Sequence, residues 1–461
     1  MIFRSTRCVS IGYSFFDVLL KGMPVDRGLF IFDKVPVIKL FRLLTLTSYH
    51  SFFYYIFKRF LSTTERTVLD FSVIAERVYS ARNFYYYSYF HDVLAVKRFS
   101  LGGVKFFMLD LTAGKTFSFK DFAIAFLADL LNSYLLSIKS TINVLVATSG
   151  DTGSSCEYFL KSSSCINVFC FSPANLISYF QALQMYTINC NNIFNLKLQG
   201  SFDNCQRVLK LLLSANRSCT TLNSVNLIRV LAQSVYYFRC YYYLINYYNI
   251  KGNIVISVPT GNFGNVYSVY LAYKMGLPIR KLILVNNEND FCYTVFNSYL
   301  LSCKTFLSTN SPSMDVLAPS NLERYFYFKL DSLSFYNYLM FLSSYCRTHV
   351  YFSNYSLFAY RCCLYERKFL CRAFEFSGFL LDPHTANAVS YILKVSILPN
   401  YPIVCVVTAK YFKFFDRSPL SQPVFKQYKV IRFLESRRPK TYFFNVKDFT
   451  KIVGFVTLNM L

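Results

Sequence analysis

Two lysines lie five residues apart in the segment "LTAGKTFSFKDF" at 111–122, and each invites a different chemistry. "GKT" around Lys115 suggests a nucleoside triphosphate site, in which a glycine-rich loop wraps phosphates with backbone amides. Such a loop needs another glycine five residues before its second one. That place is Leu109, so the pattern fails. "SFKDF" sets Lys120 between aromatic residues. A partly desolvated lysine holds its proton less tightly and offers a neutral amine near neutral pH, as imine formation with an aldehyde cofactor requires. The plain alternative is a snorkelling side chain, its stem on apolar surface and its ammonium in water.

Two turns offer places for anions. "TSGDTG", comprising Thr148, Ser149, Gly150, Asp151, Thr152 and Gly153, leaves an apolar strand and opens a helix. Free backbone N–H groups and the positive helix end then converge on one spot, which suits a carboxylate or phosphate. Asp151 is out of place among such donors and reads either as a helix cap or as a receiver for a substrate ammonium. "PTGNFGN" at 259–265 repeats the logic on a second strand. Gly261 and Gly264 permit positive φ and close backbone approach, while Thr260, Asn262 and Asn265 are small polar groups, a combination suited to phosphate. The plain reading of either turn is a capped helix start; two in one chain weaken it.

The elements that position these residues follow a rhythm of short apolar strand, glycine-containing turn and helix. "INVLVATSGDTGSSCEYFLK" (142–161) and "NIVISVPTGNFGNVYSVYLAYKMG" (253–276) carry it in full. "CINVFCFSP" (165–173), "NLKLQG" (195–200), "KLILVNNEN" (281–289) and "PIVCVVTAK" (402–410) add strands. The pattern predicts an α/β fold with parallel sheets, whose ligands sit at the carboxyl ends of the strands. Residues 1–90 lack the rhythm and read as a mainly helical, aromatic N-terminal segment, with "LLTLTSYHSFFYYIFKRF" (43–60) as a buried helix.

Composition excludes several classes. Hydrophobic residues make up 54% of the 461-residue chain, too many for a disordered protein. No run reaches the roughly 18 apolar residues of a membrane span, and the N-terminus lacks a secretory pattern. The 15 cysteines form no C-x-x-C pair, and the four histidines lack metal-like spacing, so no metal site is expected and the thiols read as free, in a reducing cytoplasm. The net charge of +25 raises nucleic-acid binding, but the basic residues are scattered and form no known motif. With 50 Phe, 39 Tyr and no Trp, the composition reads instead as mutational drift in a nucleotide-biased genome, and no nucleic-acid or membrane partner is expected.

Taken together, "FSFKDFA", "ATSGDTG" and "PTGNFGN" resemble blocks of the threonine synthases, pyridoxal 5'-phosphate enzymes of the tryptophan-synthase-β-like fold (fold type II). The resemblance runs nearly end to end. "FRSTRCVSIGYSFFDVLLKGMPVDRGLFIFDKVP" (3–36), "KLQGSFDNCQ" (197–206), "LNSVNLIRVLAQSVYYF" (222–238), "NNEND" (286–290), "SPSMDVLAPSNLER" (311–324) and "DPHTA" (382–386) are similar to further family blocks. The resemblance implies two parallel-sheet α/β subdomains over 91–400 with the active site between them, a family-like segment over 1–90, and a C-terminal segment, 401–461, completing the cofactor site. It implies that Lys120 holds the cofactor and moves protons. The turn Thr260, Gly261, Asn262, Phe263, Gly264 and Asn265 would cradle the cofactor phosphate, with Thr408 facing the pyridine nitrogen. Thr148 to Gly153 would grip the substrate carboxylate. Arg229 and Arg7 are candidates for the substrate phosphate, since arginine grips it bidentately; a structural salt bridge is the alternative for both.

The implied reaction converts O-phospho-L-homoserine and water to L-threonine and phosphate, in a monomer or homodimer. A serine/threonine dehydratase of the same fold and a decayed, non-catalytic binding protein are the alternatives. Against the dehydratase stand "SGDTG" and "GNFGN". Three departures bear on decay. Ala113-Gly114-Lys115-Thr116 stands where the family has H-G-P-T, Thr408 to Phe414 reads T-A-K-Y-F-K-F for T-A-H-P-A-K-F, and Cys8 replaces a glycine.

Overall fold

The computed structural model describes residues 1–86, 92–216, 218–302, 304–344, 346–353, 357–376, 379–394, 401–414 and 433–460. Its strands are β1 Phe3–Ser5, β2 Phe30–Phe32, β3 Ala95–Leu101, β4 Val104–Asp110, β5 Ile142–Ala147, β6 Ile166–Pro173, β7 Ile193–Gln199, β8 Cys219–Thr221, β9 Ile254–Pro259, β10 Ile279–Asn286, β11 Leu300–Leu301, β12 Thr348–His349, β13 Leu357–Arg361, β14 Ile403–Val407 and β15 Tyr442–Asn445. The apolar runs form two sheets. One has six strands in the order β13-β10-β9-β14-β4-β3, the other five in the order β15-β7-β6-β5-β8. Every pairing is parallel except that of β3 with β4. Residues of β5, β6 and β9 are buried on both faces, which is why these strands read as unbroken apolar runs rather than alternating ones.

The expected boundaries at 90 and 400 fall on residues outside those described, but the strands beyond them show how the segments share sheets. β14 lies between β9 and β4 in the middle of the larger sheet. β15 extends the smaller sheet by pairing with β7. The C-terminal stretch therefore completes both sheets instead of standing apart.

The N-terminal segment holds helices at Phe15–Lys21, Leu40–Leu43, Tyr49–Phe57, Thr63–Val68 and Phe71–Val78 beside the β1–β2 pair. The expected helix over 43–60 is broken. The first piece ends at Leu43, and Ser48 caps the second, its hydroxyl accepting from Ser51 N at 3.3 Å. These helices press aromatic rings onto the helix Lys120–Ser137. Phe53 and Phe126 lie 4.3 Å apart between ring centres, and the Tyr79 hydroxyl donates to Phe122 O at 2.9 Å. The helix that begins with Lys120 is thus clamped from behind. Among the described residues, no helix is long and apolar enough to cross a membrane, and no His/Cys/Asp/Glu group could hold a metal.

One buried ion pair ties the long helix Leu227–Tyr248 to the chain just before β3. Arg239 Nε donates to Asp92 Oδ2 at 2.7 Å, and the Tyr243 hydroxyl donates to the same oxygen at 2.7 Å. Both charged side chains are almost wholly buried. Arg239→Met therefore leaves Asp92 uncompensated, and urea unfolding is expected to show a loss of about 3–5 kcal/mol. The exposed Arg77–Asp129 pair is the control; its Arg77→Ala variant is expected to lose no more than about 1 kcal/mol.

Candidate active site

The carboxyl ends of β5, β9 and β14 open on one cavity, bordered by Lys120, Asp151, Arg229, Gly261, Asn265 and Thr408 among others. After β5, the Thr148 hydroxyl accepts from Gly150 N at 2.9 Å and Gly153 N at 2.8 Å, folding the turn into the helix Asp151–Leu160. Gly150 has φ 124°, and a Cβ there would press on the Gln181 side chain. A Cβ on Gly153 would meet Met185 and Thr148. Thr148, Gly150 and Gly153 thus build the turn, whereas Ser149, Asp151 and Thr152 border the cavity.

After β9, Phe263 caps the helix Gly264–Lys274 in the left-handed conformation, φ 61°. A bulky residue rarely adopts it. Packing holds it here, the buried ring stacking on Phe296 at 6.1 Å. A Cβ on Gly261 would land on the Ser313 carbonyl oxygen, and one on Gly264 would lie 2.9 Å from Ser224 Cβ. Backbone therefore approaches backbone as only glycine permits. Asn262 is used in holding the turn: its side chain donates to Ser224 Oγ at 3.1 Å and accepts from Ser320 N at 2.7 Å. Asn265 Oδ1 accepts from the hydroxyls of Tyr236 and Tyr237, each at 2.6 Å, while its Nδ2 is buried with no hydrogen-bond partner among the described residues. An orphaned donor beside the unsatisfied first-turn amides of a helix marks an anion cup.

Lys120 opens the helix Lys120–Ser137. The preceding residues are stitched to the end of β14: Phe119 N donates to Thr408 O at 2.8 Å, and Lys410 N to Phe117 O at 3.1 Å. Lys120 Nζ lies 3.3 Å from Asp151 Oδ2. Burial pulls the Lys120 pKa down; Asp151 pulls it back, Arg229 and Lys413 push it lower, and the net shift is downward. Asp151 would rise on burial alone, but Lys120 and Lys413 hold it well below the usual carboxylate range. It does not cap its helix; Lys413 Nζ and Gln181 Nε2 both reach its Oδ1 at 2.8 Å. "GKT" has a structural use. A Cβ on Gly114 would strike the Asp121 carboxylate, which Thr116 binds through N (2.8 Å) and Oγ1 (2.6 Å). Lys115 Nζ sits 4.2 Å from the centre of the Tyr85 ring, and Lys115 does not border the cavity.

The two arginines part company. Arg229 is fully buried, and burial lowers its pKa to about 10. Its Nη1 donates to Leu222 O at 2.8 Å, Nη2 lies 3.5 Å from Thr152 Oγ1, and Nε has no partner among the described residues. One turn on, Gln233 Oε1 is also buried with no partner among the described residues. Arg7 does not border the cavity. It is held by Glu323 instead, Nε to Oε1 at 3.1 Å and Nη2 to Oε2 at 2.9 Å. The salt-bridge alternative describes Arg7, and Arg229 is the cation left facing the cavity.

Three residues that border or support the cavity carried no role in the sequence reading. Ser313 Oγ lies 3.4 Å from Asp151 Oδ2, and Ser313 N donates to His384 Nε2 at 3.1 Å. With Nε2 accepting, the His384 ring proton sits on Nδ1, toward Asp382 Oδ1 at 3.2 Å. Lys413 is the third. All three lie inside quoted blocks, but only the fold reveals that segments about 160–260 residues downstream of Asp151 gather around it.

No family model matches the chain. It is 34% identical to the threonine synthase of Methylobacillus glycogenes over 336 residues, 70% of each chain. Among solved structures it superposes on yeast threonine synthase with a TM-score of 0.85 and 26% identity, covering 100% of this chain and 99% of that one. On the PLP-bound threonine synthase of Brucella melitensis the values are 0.82 and 25%, again over 100% and 99%.

Behind the β5 turn, Glu157 is buried; its Oε2 lies 3.3 Å from Asn195 Nδ2, and the Cys170 thiol also reaches its carboxyl. Desolvation raises its pKa from 4.5 to about 8. The folded state then binds a proton that the unfolded chain has released, so stability falls as pH rises from 4.5 toward about 8 and levels beyond. Glu157→Gln removes that term. Its unfolding free energy is expected to gain on the wild type across this window, and parallel pH profiles of urea midpoints would contradict the assignment.

Proposed function

The chain belongs to the threonine synthase family, a family of pyridoxal-phosphate-dependent lyases, and from that premise we propose how its residues divide the work on O-phospho-L-homoserine. The observation that carries the proposal is a pair of anion receptors flanking one buried lysine: the Thr260–Asn265 turn and Arg229. A cofactor and a substrate that each bear a phosphate call for this arrangement.

The residues fit pyridoxal phosphate. The orphaned Asn265 Nδ2, the first-turn amides after Phe263 and the glycine clearance at Gly261 and Gly264 would hold its phosphate. Lys120, its pKa lowered, would provide the linking amine, and the Thr408 hydroxyl would meet the ring nitrogen. When bound, the cofactor supplies an aldehyde for the amine link and a ring that spreads the electrons left when protons leave the substrate. A neutral hydroxyl partner keeps the ring uncharged, a setting for elimination and replacement.

Lys120 takes the proton from Cα of the substrate, then moves protons at Cβ and Cγ as phosphate leaves Cγ and water adds at Cβ. Ser149, Thr152 and the start of the helix Asp151–Leu160 orient the carboxylate. Asp151 receives the substrate ammonium. Arg229 offers its free Nε–H to the phosphate, with Gln233 one turn beyond. The buried walls keep bulk water from the reacting carbons. We place the enzyme in the cytoplasm as a monomer or homodimer; the described cysteines are free, as a reducing compartment keeps them.

Phosphate release from O-phospho-L-homoserine tests the division. Lys120→Ala is expected to lose at least about 10²–10⁴-fold in kcat. Arg229→Leu is expected to lose about 10²-fold in kcat/KM, near 2.7 kcal/mol, mostly through KM. Wild-type rates in Lys120→Ala would overturn the proposal, and no release by the wild type would favour the decayed binding protein.

A further inference from the structure

Lys413 has no exposed side-chain surface, so its ammonium depends on protein acceptors alone. Among the described residues it has two: Asp151 Oδ1 at 2.8 Å and the Thr116 carbonyl oxygen at 2.6 Å. Asp151 in turn bridges two ammonium groups, with Lys120 Nζ 3.3 Å from its other oxygen. The remaining charges around this bridge come from several elements. Arg229 lies on the helix Leu227–Tyr248, and Asp121 beside Lys120 is bound by Thr116 and by Ser155 Oγ at 2.7 Å. His384 approaches through Ser313 and is itself paired with Asp382.

Once Lys120 is linked to a cofactor, its nitrogen is a cation only while it keeps a proton, and whenever it gives that proton up Asp151 loses one of its two cations. A buried carboxylate left alone would take up a proton and could no longer receive a substrate ammonium. Lys413 is the cation that stays. It reaches Asp151 from the opposite oxygen, on the 3₁₀ turn Tyr411–Phe414 that follows Thr408, and it needs no movement to do so.

We propose that Lys413 is a positioning residue acting through Asp151. It keeps Asp151 a carboxylate when Lys120 is engaged, and its own charge keeps the Lys120 nitrogen easy to deprotonate. The inference deepens the functional reading above and rests on it for the identity of the linked cofactor.

The test is a pH titration of the visible absorbance of the full chain reconstituted with pyridoxal phosphate, without turnover. Lys413→Gln retains a donor for the Thr116 carbonyl but removes the charge; the titration midpoint is expected to rise by about one pH unit or more. Lys413→Arg is expected to restore the wild-type midpoint, which a merely structural role for the side chain does not predict. Unmoved midpoints in Lys413→Gln would overturn the inference while leaving the cofactor assignment intact. A second measurement needs no cofactor: trace acetylation of Lys120 across pH, read by mass spectrometry on the Lys120 peptide. Its midpoint must rise in Lys413→Gln and return in Lys413→Arg, and failure here overturns the inference independently. Absence of the visible band in the wild type would instead sink the functional reading. Should Lys413→Gln lose its native circular dichroism, Lys413→Met takes its place, with the same shifts required.

Discussion

Three charges meet nearly out of reach of water where Asp151 lies 3.3 Å from Lys120 Nζ and 2.8 Å from Lys413 Nζ. A charge carried into a protein interior loses several kcal/mol of hydration, and only partners of opposite sign or well-aimed hydrogen bonds replace it. Each partner here comes from a different part of the chain. Asp151 stands at the end of β5 in the smaller sheet. Lys120 follows β4 and Lys413 follows β14, both in the larger sheet. The cluster therefore ties together residues that follow strands of both sheets, at the place where strand ends open a cavity.

Two of the departures from the family pattern find physical explanations around this cluster. At Ala113-Gly114-Lys115-Thr116, the glycine and threonine enclose the Asp121 carboxylate beside Lys120, while the inserted cation turns onto the Tyr85 ring. At Lys410, in a place the family gives to histidine, Nζ donates to the Tyr86 hydroxyl at 2.8 Å and lies 3.7 Å from Asp110. Both substitutions put a new cation on an existing acceptor rather than into the cavity. Phe and Tyr enrichment is absorbed similarly, as ring-on-ring packing such as Phe53 on Phe126 behind the catalytic helix.

Much of the fold and the centre of the site were legible in the sequence because they depend on local pattern. Strands buried on both faces leave unbroken apolar runs, and turns that need glycine clearance announce themselves as "TSGDTG" and "PTGNFGN". What escaped depends on contacts between distant segments. Thr148 looked like a ligand donor, but its hydroxyl oxygen accepts from Gly150 N and Gly153 N within the turn and the residue does not border the cavity. Arg7 and Arg229 are chemically identical in sequence; the ion pair of Arg7 with Glu323 and the place of Arg229 on the cavity wall separate them. Lys413 matches the lysine of the T-A-H-P-A-K-F block, but its role escaped because its partner Asp151 is 262 residues away.

The account turns on which lysine the cofactor selects. Lys115, Lys120 and Lys413 all lie within a short reach of the strand ends, yet only Lys120 combines a lowered pKa with a place on the cavity wall facing the Gly261–Asn265 cup. The most direct measurement is borohydride reduction of the protein loaded with pyridoxal phosphate, followed by peptide mapping of the modified lysine. The account predicts stoichiometric modification at Lys120 alone. Modification of Lys115 or Lys413 in its place, or a label scattered over surface lysines, would contradict it.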